Sequence, residues 1–212
     1  MIADTHPEPR LNQPARRARS KRRLLRAALE LVSERGYERT TLAAIGQRAG
    51  YSRGVVSHFF GSKEGLLTEL VERMMARWGR DSLEPAVGDT SGTDAMCAAI
   101  DAVLDQTRAH PDEVRAFYAL LFEALGPLPA LRPTFAELHE RLRKRIRYSL
   151  EQGIENGNVR PDIDASAQAM LFLAVLRGVV YQWLLDPQNI ELAPALEEQK
   201  RNLLRTLRSA DV

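Results

Sequence analysis

Apolar residues recur along this chain at helical spacing. From Ser20 onward, Leu24, Ala27, Ala28, Leu31 and Val32 fall on one stripe while Arg22 and Arg26 point the other way. Gly36 closes that helix. Two short segments follow, at 41–49 with Leu42, Ile45 and Ala49 on one face, and at 53–60. Between them, Gly50 permits the positive φ of a tight turn, and Ser52 is placed to cap the second segment. Ser62 is placed to cap a fourth helix running towards Trp78. Residues 79–93, with Pro85, Gly88 and Gly92, predict a loop or a broken helix. Further apolar-periodic stretches lie at 94–108, 111–125, 131–156, 164–185 and 192–208. No alternating β-branched run lies between turn signals and no internal repeat is present, so the pattern predicts an all-α fold.

Composition narrows the class. The chain has 212 residues, 44 % of them apolar and 27 % charged, enough for a core and unlike collagen or bulk disorder. A single cysteine, Cys97, forbids an intrachain disulfide framework and fits a reducing compartment. The longest apolar stretch, 169–185, is interrupted by Arg177 and Gln182 and falls short of the roughly 20 clean residues of a membrane helix. Residues 1–14 are polar and proline-bearing, so neither a signal peptide nor a membrane role is expected. The expectation is a cytoplasmic protein.

The net charge of +2 hides a split. Residues 10–63 hold thirteen basic and three acidic side chains; from residue 64 on there are seventeen basic and twenty-three acidic. Asp4 and Glu8 supply the remaining two charges. Residues 1–19, with Arg16, Arg17 and Arg19 and three prolines, read as a flexible basic arm. A basic segment on an acidic body is the footprint of a polyanion-binding module, although a solvated charge run looks the same on charge alone.

The two short helices at 41–49 and 53–60 form a helix-turn-helix if their apolar faces pack together. At about 100° per residue, Val56, Phe59 and Phe60 share one face, while Gly54 and His58 lie opposite and Val55 and Ser57 flank. The outward face is small, polar at one end and centred on a glycine, which suits close approach to a major groove. Thr41 and Lys63 stand at neighbouring helix N-termini, where phosphates are favoured. Each residue alone has an ordinary surface or packing role; the joint pattern beside a basic segment points to double-stranded DNA.

The run from Ala27 to Tyr37 (AALELVSERGY), then TTLAAIGQRAG at 40–50, Ser52-Arg53-Gly54, and HFFGSKE at 58–64 resembles the N-terminal domain of the tetracycline-repressor (TetR) family. The resemblance implies an all-α homodimer with an N-terminal three-helix DNA-binding domain and a C-terminal helical domain for a small-molecule effector and dimerisation. The corresponding divisions here are 1–19 (arm), 20–66 (helix-turn-helix domain) and 67–212 (effector and dimer domain). Thr41, Ser52, Arg53, His58 and Lys63 match family positions that contact DNA, with Gly54 on the same face. Three positions depart from the family pattern: Ser57 stands in place of an aromatic, Val55 in place of a polar residue, and Tyr51 in place of a smaller aliphatic. Tyr51 is expected to cover the turn or to reach a phosphate.

In the body, the helix at 165–185 is apolar nearly all round and must be buried on several sides, in a core or against a second subunit. Met96, Phe117, Tyr118, Leu121, Phe122 and Phe172 are candidate pocket walls, and Arg177 can bind an anionic effector, pair with Glu123 or serve as a structural arginine. No catalytic constellation emerges: the four histidines are scattered, and His139-Glu140-Arg141-Leu142-Arg143 lacks the second histidine of a zinc-protease motif. No metal or cofactor is expected. The sequence therefore predicts a ligand-responsive repressor binding palindromic operator DNA as a homodimer. The alternatives are a DNA-binding protein without an effector and, less favoured, an all-α enzyme or small-molecule carrier.

Overall fold

In the computed structural model, residues 13–208 are described, and every named element among them is helical. Among the described residues the one β feature is an isolated antiparallel bridge between Val159 and Arg208. Helix α1 (Gln13–Arg35) begins before Ser20. Pro14 is tolerated there because an N–H in the first turn has no helical partner to lose. Arg16, Arg17 and Arg19 therefore stand on a helix rather than on the expected flexible arm; residues 1–12 of that arm lie outside the described residues.

Next come α2 (Leu42–Ala49), α3 (Arg53–Phe60) and α4 (Lys63–Trp78). A hydroxyl caps each: Thr41 accepts from the Ala44 N–H at 3.2 Å, Ser52 from Val55 at 3.4 Å and Ser62 from Gly65 at 3.1 Å. Each such cap stabilises its helix by about 1 kcal/mol. Gly50, at φ 77°, turns the chain sharply out of α2, a conformation strained for any side-chain-bearing residue. Leu24 and Leu31 of α1, Ile45 and Ala49 of α2, and Val56 of α3 are buried together with Leu66 and Leu67 of α4. Arg48 grips α1 from outside through Glu34 (2.9 and 2.8 Å) and Glu30 (3.3 Å).

Of the loop or broken helix expected at residues 79–93, the structure shows the broken helix, with a non-helical break at residues 88–91 before the next helix. α4 runs on through a π-helical turn, Gly79–Leu83, into α5 (Glu84–Val87), with Pro85 in the first turn of α5 where it does least harm. The body holds α6 (Gly92–Ala109), α7 (Pro111–Glu123), α8 (Arg132–Glu155), α9 (Ala165–Leu185) and α10 (Leu192–Leu207). α8 packs on α6 and α9, and α10 closes against α6 and α9. The backbones of α6 and α8 meet at Gly153, where a Cβ would come within 2.5 Å of Gly92 Cα.

The two halves are continuous. α1 packs on α7, Ser33 Oγ donates to Asp112 Oδ1 at 3.1 Å, and Arg77 of α4 pairs with Glu113 of α7. The expected division at residues 66 and 67 falls inside α4. By length and composition alone α9 is apolar enough to cross a bilayer. Arg177 at its middle and the buried stripe Ala169, Phe172, Leu176 and Val180 instead seat it against protein. Its other side leaves Met170 (63 %), Leu171 (54 %) and Leu185 (63 %) exposed.

Candidate nucleic-acid interface and the cavity behind it

The sides of α3 differ sharply. Val56 is wholly buried and anchors the helix; Arg53, Gly54 and His58 are exposed, and Val55 and Ser57 are half-buried at the flanks. Phe59 and Phe60 are covered only in part by the core. Cations from α1 approach their rings: the Arg17 guanidinium lies 5.6 Å from the Phe59 centroid and Lys21 Nζ 5.4 Å from that of Phe60. Arg23 sits over Tyr51 at 5.3 Å, and the Tyr51 hydroxyl donates to Ser20 Oγ at 2.9 Å. Tyr51 thus covers the turn towards α1. Each contact is worth about 0.5–1 kcal/mol at an exposed site, and together they hold a basic row of α1 beside α3.

Thr41 and Ser52 are exposed caps. Their oxygens accept from the backbone, which leaves the hydroxyl hydrogens to donate to a phosphate. Lys63 is held differently. Its ammonium donates to the Tyr37 carbonyl at 2.7 Å and sits 3.6 Å from the Tyr37 ring centroid; burial pulls its pKa below the usual lysine value. It lies at the start of α4 but drawn in against Tyr37. Arg17, Lys21 and Arg23 are the residues that the sequence reading left out of this face. The i, i+4 spacing of Arg17 and Lys21 was the available signal, obscured by assigning Arg17 to an arm; Arg23 stands outside that spacing.

Behind this face, α4 to α9 line a partly open cavity of about 140 Å³. Met96, Phe117, Tyr118, Phe172 and Arg177 line it; Leu121 and Phe122 do not. The cavity follows α7 only as far as Tyr118. One turn further on, Leu121 is half-buried and Phe122 is 46 % exposed, its ring 4.9 Å from that of Tyr181. Trp78 and Ser149 also line the wall, and nothing in their local sequence marks them for it. Arg177 does not pair with Glu123. Its guanidinium lies 4.5 Å from the Phe117 centroid and 5.7 Å from that of Tyr118, whose hydroxyl donates to the Arg177 carbonyl at 3.1 Å. Burial pushes the Tyr118 phenol pKa up. Among the described residues no group of three His, Cys, Asp or Glu side chains could hold a metal ion.

An exposed recognition helix flanked by a basic row, on a body with an apolar cavity, defines a helix-turn-helix regulator. Residues 24–70 match the family described as bacterial regulatory proteins, tetR family, and residues 93–208 match the BetI-type transcriptional repressor C-terminal domain. The chain belongs to the tetR family of bacterial regulators, with a BetI-type C-terminal half. It is 29 % identical over 183 residues to the HTH-type transcriptional regulator BetI 1 of Chromohalobacter salexigens, covering 85 % of this chain and 84 % of that protein. BetI of Burkholderia mallei is 27 % identical over 175 residues, covering 82 % and 86 %. A transcriptional regulator from Saccharomonospora viridis, solved in complex with choline, shares the fold at TM-score 0.79 and 20 % identity over 91 % of this chain and 99 % of that one. Proteins of this family are ligand-responsive DNA-binding repressors, and the present chain is a DNA-binding transcriptional regulator.

Proposed function

We propose that this regulator acts in the cytoplasm as a homodimer that sets two α3 helices into successive major grooves of a palindromic operator and is released when a small molecule fills the cavity. The observation that carries the reading is the outward face of Arg53, Gly54 and His58 with the basic row of α1 alongside. Arg53 and His58 read base edges; Thr41, Ser52 and Lys63 position the backbone, with Val55 and Ser57 at the margin. The exposed apolar side of α9 supports a second copy, because self-complementary apolar faces close a twofold dimer.

Binding to DNA from upstream of its own gene, with random DNA as competitor, tests this reading. If each dimer makes roughly 6–10 phosphate contacts, log K falls against log salt with a slope of about −0.9 per contact. A flat salt response, or equal affinity for random DNA, rejects operator recognition. Binding that no cavity-filling molecule ever releases leaves a constitutive DNA-binding protein instead.

A further inference from the structure

Three charged side chains line the otherwise largely apolar cavity: Glu113, Arg145 and Arg177. Glu113 is held by Arg77 and accepts from Gln106 Nε2 at 3.5 Å. Arg145 has Glu84 at 3.7 Å. Arg177 has no carboxylate partner among the described residues, and its Nε is buried with nothing to donate to. Ser149 Oγ of α8, which also lines the cavity, is buried and unpartnered as well. Unsatisfied buried groups are rare because each costs about 1–3 kcal/mol, and more when charged. His139, beside Arg177, offers no relief. Burial, then the charges of Arg177 and Arg143, press its pKa down to about 4, so it stays neutral near pH 7.

We propose that the cavity takes an amphipathic organic anion, a carboxylate on a short apolar chain, whose oxygens accept from Arg177 Nε–H and Ser149 Oγ–H. The chain lies against Met74, Trp78, Val103 and Leu176. The proposal rests on the ligand-responsive reading above and names the chemistry that site selects. Desolvated charge-assisted hydrogen bonds are the strong ones, and they form here without breaking an existing pair. A quaternary ammonium meets the opposite situation. Arg177 repels it and already occupies the ring faces of Phe117 and Tyr118 that would attract a ligand cation.

Three probes of equal chain length test the proposal on the full chain without DNA: octanoate, octan-1-ol and octyltrimethylammonium. Thermal shift and tryptophan fluorescence report binding, with Trp78 on the wall and Trp183 outside the cavity both contributing to the signal. Octanoate is expected to half-saturate at a concentration at least about 10-fold below either of the others, equivalent to about 1.4 kcal/mol. Arg177→Gln brings octanoate and octanol to within about 2-fold. If Arg177→Gln does not fold, Ser149→Ala decides: octanoate weakens by about 3-fold while octanol is unchanged. The proposal is overturned if the ammonium binds as tightly as octanoate, if none of the three binds, or if the variants leave the preference intact. DNA binding is measured separately on the same preparation. Octanoate that binds without releasing DNA contradicts the regulatory reading and leaves the ligand class standing.

Discussion

His58 and Lys63 show two ways in which a residue serves a DNA-facing surface. His58 is exposed on the outer side of α3, and among the described residues only the edge of Phe59 lies beside it, at 5.9 Å. His58→Ala should relax preference at one position of each half-site, by about 1–3 kcal/mol of discrimination, as read by binding-site selection on random DNA. Lys63→Ala should weaken all sequences alike and lower the salt slope by about one; identical selection profiles for the two variants would refute these roles. His139 carries a pH prediction. Its pKa in the folded chain is depressed to about 4 from 6.5, so the unfolded chain binds the extra proton first. Stability is then full above pH 6.5 and falls as pH drops towards 4, and thermal melts of His139→Gln should lose that part of the slope. The face of α3 was legible because Val56, His58, Phe59 and Phe60 sit within one helical turn and need only the helical period to be placed. Arg177 was not legible. Its neighbours Phe117 and Tyr118 come from a helix far away in sequence, so only tertiary packing decides between a pair with Glu123 and a place over their rings.

The strongly periodic stretches at the level of elements matched the helices to within a residue or two, because burial of one stripe is what stabilises them. The start of α1 is the clear miss. α1 begins at Gln13 because Pro14 is harmless in a first turn, and Arg17 and Lys21 gain ring contacts with Phe59 and Phe60 that a local reading cannot foresee. Residues 79–91 are the broken helix that the sequence reading allowed beside a loop: a π-turn absorbs the irregularity that Pro85 and the glycines announced, and the chain leaves the helix after Val87. α9 is the element whose sequence most exceeds what one chain covers. Leu171→Glu places a charge on its open apolar side, and we expect sedimentation to show a monomer at concentrations where the parent chain is dimeric. Operator affinity should fall by two orders of magnitude or so, since linked half-sites lose their effective concentration, while the melting temperature hardly changes. A monomeric parent chain would remove the basis for this prediction.

Across the whole molecule, α4 belongs to both functions. Its first turns bury Leu66 and Leu67 in the DNA-binding half, and its last turns present Met74, Met75 and Trp78 to the cavity. Arg77, on the same helix, ties the cavity wall to α7 through Glu113. The linkage has to be reciprocal: a molecule that weakens operator binding by some factor, typically about 5–150-fold, is itself weakened by bound operator by the same factor. We expect Arg77→Ala to shrink both factors together by about 0.5–2 kcal/mol and to leave DNA binding by the empty protein near its parent value, measured by titrating each partner in the presence of the other. The double hold of Arg48 on Glu34 and Glu30 then limits how such a signal can be expressed. With α2 braced to α1, the reading head of the proposed dimer would travel as one piece, so filling the cavity would alter its pitch and its distance from its twin and leave its taste for individual bases alone. In that dimer the two messages in an operator, its lettering and its spacer length, would be read by separate parts of the protein, and only the second would be open to metabolic control.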